Sequence, residues 1–72
     1  MEAVMNDLSR KFGENIRALR NEKRWSQTRL AERSGLHWSY ISRVERGVCM
    51  PRLTNVEKIA RALRVQPSRL MQ

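Results

Sequence analysis

Apolar residues recur along this chain at spacings that mark out a short series of helices. Leu8, Phe12, Ile16 and Leu19 stand at i, i+4, i+8 and i+11, one stripe of a helix predicted over about Asp7 to Asn21. Gly13 interrupts it at about 1 kcal/mol against Ala, a cost that close packing against a neighbour would explain. Residues 1–6 show no such pattern and are expected to fray. Leu30, Ala31 and Ser34 then share one side of a second helix, 27–34. In a third, about 38–46, Ile41 and Val44 share one side. Ser39, Ser42, Arg43 and Arg46 share the other, with Trp38 and Tyr40 on opposite flanks. Leu53, Val56, Ile59, Ala60 and Leu63 form the core face of a fourth helix, about 53–63. Pro67 fits the first position of a last helical turn, where its missing N–H does no harm. A turn that short does not stand alone in water. It must dock through Val65 and Leu70 or be ordered by a partner, and Leu70 with Met71 is expected at a homodimer contact.

The boundaries between these elements carry their own chemistry. Ser26 is a good N-cap for the second helix. Trp25 and Leu30 flank it at the spacing of a hydrophobic staple, while Arg29 stands where a capping box would want Glu or Gln. Gly35 ends that helix and tolerates the left-handed conformation that such ends require. Leu36 and Ile41 repeat the staple around His37, an unusual N-cap, and Gly47 closes the third helix. Two helices of about eight residues, a short turn containing Gly and a polar, basic outer face describe a helix-turn-helix over about 27–46. The second helix of that motif enters the DNA major groove.

Composition narrows the partners. The 72 residues make one small domain, and 40% apolar content suffices for a single helical core. Lys and Arg number 15 against 7 Asp and Glu, for a net charge of +8. That excess points to a polyanion, nucleic acid before acidic membrane, against the plain alternative of a solvated basic surface. Twelve of the basic residues are Arg, which suits bidentate contact with phosphate and guanine. A single Cys, Cys49, permits no internal disulfide and agrees with a reducing cytosol. One Cys and one His cannot build a structural zinc site. No apolar run is long enough to span a membrane, and the first residues, without a basic n-region and an apolar h-region, are not expected to act as a signal peptide. The apolar faces are committed to a core, which argues against a membrane-surface role. There is no nucleophile–base pair, carboxylate dyad or metal set, so an enzyme is not expected. No cofactor, metal or small-molecule ligand is implied.

The stretch SQTRLAERSGLHWSYISRVERGVCMP resembles the Cro/repressor family, the XRE-type helix-turn-helix domains. The matching residues are Ser26, Gln27, Leu30, Ala31, Ser34, Gly35, Leu36, Tyr40, Ile41, Ser42, Glu45, Gly47 and Pro51. Thirteen positions fall in register over 26 residues, and the likeness extends from about Phe12 to Leu70. It implies an all-α, compact, lambda-repressor-like domain of four to five helices over residues 1–72. Many relatives carry Ser or Thr where Arg52 would cap the fourth helix, and Gly where Arg64 stands, so both ends look imperfect.

The resemblance also assigns roles. Gln27 in this family commonly reaches a phosphate and braces the recognition helix. Trp38, Ser39 and Arg43 fall on the usual base-edge readers. The Arg43 fork matches guanine O6 and N7. Trp38 can pack on thymine methyls or the sugar backbone, or simply against its helix flank. Ser39 can serve a base edge or a phosphate. Arg46 reads as a phosphate contact, or as a charge that suits the helix dipole. Ser42 shares the outer face, and His37 reads as cap and phosphate neighbour. Arg52 and the N–H groups of Val48 to Met50 would lie along the same DNA strand as Arg46, and loop amides there bind phosphate in many relatives. Tyr40 packs, with its hydroxyl at the rim. In relatives the residue matching Glu45 pairs with an Arg at the end of the first helix, here Arg20, as a structural ion pair. The competing reading has Glu45 accept from a cytosine amino group.

The expectation is therefore a sequence-specific, double-stranded DNA-binding transcriptional regulator. It would be cytoplasmic, nucleoid-associated and a homodimer on a palindromic operator, similar to restriction–modification controllers and small prophage repressors. The alternative is an antitoxin-like domain whose main partner is a protein.

Overall fold

Four α-helices and one closing 3-10 turn, with no strand among the described residues, make up the computed structural model of this chain. It describes the backbone of residues 2–72 and the side chains of residues 7–72. The helices are α1 (Glu2–Glu22), α2 (Gln27–Ser34), α3 (Trp38–Glu45) and α4 (Leu53–Leu63), and the 3-10 turn is Pro67–Met71. The α1 helix begins ahead of its expected start near Asp7. The expected fraying of residues 1–6 falls on side chains and a first residue outside the described residues.

The core is the set of inward stripes read together. Phe12, Ile16 and Leu19 from α1 meet Leu30 and Ala31 from α2 and Ile41 and Val44 from α3. Val56, Ile59, Ala60 and Leu63 from α4, with Leu70, complete it. Fully burying one such aliphatic side chain contributes about 1.5–3 kcal/mol. Two expected core residues lie outside. Leu8 is 57% exposed and Ser9 is buried instead. The loop after α3 covers α1 on the Ser9 and Arg10 flank, where Gly47 lies against the Arg10 backbone. Nothing comparable covers the Leu8 flank. Leu53 is 72% exposed because it occupies the first turn of α4, off the centre of its buried face.

The chain ends its helices in similar ways. After α3, Gly47 N–H donates to the Val44 carbonyl at 3.0 Å and Val48 N–H to the Arg43 carbonyl at 3.1 Å. This is a Schellman motif, with Gly47 at φ +77°. The helix itself stops at Glu45, and Arg46 is its C-cap. The same pair of bonds closes α4, where Arg64 takes the left-handed position at φ +60°. It also closes α1, with Arg24 at φ +60°, a strained end that the sequence pattern had not marked. Arg52 makes no side-chain cap for α4.

Gly13 is the close approach between α1 and α3. A Cβ there would stand 2.3 Å from the Val44 carbonyl oxygen. The C-terminal segment docks on its own chain. Leu70 is fully buried, and Asn15 Nδ2 donates to the Leu70 carbonyl at 2.8 Å. Leu70 therefore docks within its own protomer, one of the two arrangements expected of this turn, while Met71 beside it stays exposed.

Candidate nucleic-acid interface

The helix that would read DNA is fixed from behind by one carboxylate. Glu45 ends α3, where its charge opposes the negative end of the helix dipole. Its side chain is 0% exposed. Arg20 Nε donates to Glu45 Oε2 at 2.7 Å and Arg20 Nη2 to Oε1 at 2.9 Å. Gln27 Nε2 adds a bond to Oε1 at 3.0 Å, and Arg17 Nε approaches the same oxygen at 3.5 Å. Burial pushes the Glu45 carboxyl up. The bonds from Arg20 and Gln27, the Arg20 charge and the Arg17 bond outweigh it and leave the pKa lowered. The Arg20 guanidinium is raised, chiefly by its bond to Glu45. Arg20 Nη1 also donates to the Trp25 carbonyl at 2.6 Å, which ties the α1–α2 corner into the same network.

That network changes the reading of Gln27. One of its amide hydrogens is held by Glu45, so its bracing role is visible in the free protein. The second N–H of an amide remains available for another acceptor. Arg17 and Gln27 had not been identified as partners of Glu45. Arg17 lies three residues before Arg20 on the same flank of α1, and that i, i+3 spacing was the available signal.

The outer face of α3 is open. Trp38 is 54% exposed, and Arg43 and Arg46 are exposed, while Ser39 and Ser42 are half-buried. His37 does cap the helix: its Nδ1 accepts the Ser39 backbone N–H at 3.1 Å and lies 2.7 Å from Ser39 Oγ. Accepting at Nδ1 places the ring hydrogen on Nε2, leaving that atom as a donor. The His37 and Trp38 rings stack with centroids 6.0 Å apart, so the start of α3 presents a broad aromatic surface.

A groove of about 670 Å³ runs beside this face and brings Arg43 and Arg52 together with Tyr40 and Asn55. The Arg43 guanidinium sits over the Tyr40 ring at 5.9 Å. Asn55 Nδ2 donates to Tyr40 Oη at 3.1 Å, which joins α4 to α3. Arg52 thus contributes charge to the groove rather than a cap to its helix. The loop amides divide. Val48 N–H is taken by Arg43, correcting its expected availability. No backbone bond engages Cys49 or Met50 N–H among the described residues. No group of three His, Cys, Asp or Glu residues able to hold a metal occurs among the described residues. No described helix is long and apolar enough to cross a membrane.

A helix-turn-helix family model matches residues 16–70, three-quarters of this chain and all of the motif. The chain belongs to the Cro/repressor-type helix-turn-helix family. As a member of that family it is a DNA-binding transcriptional regulator. It is similar to the control protein C.BamHI of Bacillus amyloliquefaciens, at 43% identity over 69 residues, covering 94% of this chain and 85% of that protein. The crystal structure of the restriction-modification controller C.AhdI from Aeromonas hydrophila matches with a TM-score of 0.84 at 45% identity. That match covers 86% of this chain and 94% of the other. The hypothetical transcription factor NHTF from Neisseria matches with a TM-score of 0.88 at 40% identity, covering 94% of this chain and 78% of that one. The all-α, lambda-repressor-like architecture is common to this helix-turn-helix chain and those structures.

Proposed function

We propose that this helix-turn-helix protein is a sequence-specific transcription regulator of the restriction–modification controller kind. It would act in the cytoplasm as a homodimer on a palindromic operator. The observation that carries the reading is the outward face of α3. Trp38, Arg43 and Arg46 are exposed there, Arg52 joins Arg43 in one groove, and the helix is held from behind by the Glu45 network. The likeness to C.BamHI and C.AhdI, both named as controllers, supports the same role.

The mechanism is binding. Arg43 donates two N–H groups to guanine O6 and N7, and such a pair discriminates by about 1–3 kcal/mol. Trp38 packs its exposed ring on thymine methyls or the sugar edge, with Ser39 and Ser42 beside it. Arg46, Arg52, His37 Nε2, the second Gln27 N–H and the free loop amides hold phosphates and set register. Two protomers related by a two-fold axis would read half-sites about one helical turn apart. Catalysis has no part in this scheme.

Selection of bound duplexes from a random pool tests the reading. An enriched inverted repeat is expected, with affinity falling by a slope of about 0.9 in log K per log salt for each phosphate neutralised. Recovery of unenriched DNA, or affinity indifferent to salt, would overturn it.

A further inference from the structure

We propose that a second basic cleft, at the C-terminal ends of α1, α2 and α4, docks an acidic segment of a partner protein. The cleft has a volume of about 710 Å³. Lys23, Arg33, Lys58, Arg61 and Arg64 line it, and no carboxylate does. None of these five cations forms an ion pair among the described residues, whose ion pairs are Arg10–Asp7, Arg17–Glu45 and Arg20–Glu45. Cations at helix C-termini suit the dipoles, so each alone is ordinary. Gathered round one concavity without a counter-charge they repel one another, and an anionic partner relieves that repulsion.

The backbone adds an independent observation. Arg64 lines the cleft from a left-handed position, φ +60°, where a helix end usually carries Gly. Arg24 is not itself in the lining, but it takes the same left-handed conformation at φ +60° between the lining residues Lys23 and Trp25. Twice at this end of the molecule the chain holds a strained arginine where glycine would be free of strain, and such outliers cluster at functional surfaces.

The apolar part of the cleft selects the class of partner. The half-buried Trp25 ring lies beneath Lys23 Nζ at 5.3 Å and the Arg33 guanidinium at 5.6 Å. An indole rimmed by cations suits a segment in which Asp or Glu alternates with a large apolar side chain. A nucleic-acid duplex offers phosphates, sugar edges and thymine methyls, but no large apolar side chain that could fill the cleft beside Trp25. The position also keeps the site clear of the operator face. Gln27 begins α2 on the DNA side and Arg33 stands in its last turn at the cleft, about 9 Å along the axis at 1.5 Å per residue. Both surfaces can be occupied together, which would let the DNA-bound protein recruit a second protein.

The chain has two tryptophans, one in each surface, and their indole N–H signals report the two sites separately. The probe is a synthetic peptide in which pairs of Glu alternate with Leu or Phe, titrated into the 15N-labelled full chain. The peptide should move the Trp25 signal and leave Trp38 in place, while random-sequence duplex DNA moves Trp38. Arg33→Glu/Arg61→Glu should weaken the peptide about tenfold more than the charge-matched Lys11→Glu/Arg69→Glu, as a few lost ion pairs predict. Arg33→Gln/Arg61→Gln, which keeps good helix formers in place, should show the same direction at smaller size. The proposal is overturned if the peptide leaves Trp25 unmoved, if duplex DNA rather than peptide moves it, or if cleft and control reversals weaken the peptide equally. The peptide arm does not depend on the DNA arm.

Discussion

Replacing Glu45 with Ala should bring the free protein close to unfolding. The side chain is 0% exposed and its main partner, Arg20, is only 12% exposed. Removing the carboxylate strands the Arg20 guanidinium, which loses both of its bonds to Glu45, and frees the Gln27 amide as well. Breaking a buried pair this way costs roughly 3–5 kcal/mol. A 72-residue domain holds roughly 4–11 kcal/mol in total, at about 0.05–0.15 kcal/mol per residue. The loss is therefore a large part of the whole. At about 4–8 °C per kcal/mol, melting followed by circular dichroism without DNA should fall by roughly 12 °C or more. Arg20→Ala should be at least as damaging, since it also gives up the bond to the Trp25 carbonyl. The double variant should cost less than the sum of the singles, because no uncompensated charge remains.

Acid titration sharpens the test. Glu45 has a lowered folded pKa, so its contribution is fully present above the unfolded value of about 4.3. It is lost as pH falls through the lower folded value. The gap in stability between the parent and Glu45→Gln should therefore hold steady from about pH 5 to pH 8 and narrow only below about pH 4. If Glu45→Ala melts with the parent and loses only base preference, the carboxylate belongs to the DNA surface and the bracing argument is wrong.

Three further outcomes follow from the same geometry. Arg43→Ala should relax preference at one base position per half-site, whereas Arg46→Ala should weaken all sequences alike and lower the salt slope by about one; identical behaviour on a panel of single-base operator changes would refute that division. Gly13→Ala should lower the melting temperature although Ala favours helix by about 1 kcal/mol, because the added Cβ meets the Val44 carbonyl oxygen at 2.3 Å; a more stable variant would show that α3 simply moves aside. Leu70→Ala should cost about 2–5 kcal/mol at every protein concentration, since Leu70 is buried within its own protomer; a loss that vanishes in dilute sedimentation samples would return this residue to a dimer contact.

Much of the fold was legible because the stripes and caps agree. Leu30, Ala31, Ile41 and Val44 were placed by period alone, and Ser26 by its cap chemistry. What a single helix cannot show is which of its turns another element will cover. Leu8 continues the α1 stripe faithfully and Leu53 opens α4, yet both face solvent because no neighbour reaches them. The burial of Ser9 is the same fact seen from the other flank, since the α3–α4 loop lies there. Helix ends were legible where Gly marked them or, as at Arg64, where relatives carry Gly. Gly35 and Gly47 could be read as left-handed positions, but Arg24 gave no sign that it would adopt φ +60°.

The site divides along the same line. Solvent-facing residues of α3 follow from their angle on the helix, so Arg43 and Arg46 could be placed without coordinates, whereas the angle of Trp38 left it between DNA contact and flank packing. The buried network could not, because its members come from three helices. Spacing in α3 shows only that Glu45 turns inward, and the Arg20 partnership rested on likeness to a family. The structure adds Gln27 and Arg17 to the same carboxylate. That addition has a physical consequence for the reading head. Arg20 belongs to α1, Gln27 opens α2 and Glu45 ends α3, so one carboxylate sets the relative positions of all three helices. A phosphate that draws the second Gln27 N–H outward would pull on the same amide that braces α3. In the proposed scheme, phosphate anchoring and the placement of Arg43 over its base would therefore be mechanically joined. Loss of Gln27 should accordingly disturb base preference as well as affinity, although in that scheme its side chain is assigned a phosphate and not a base.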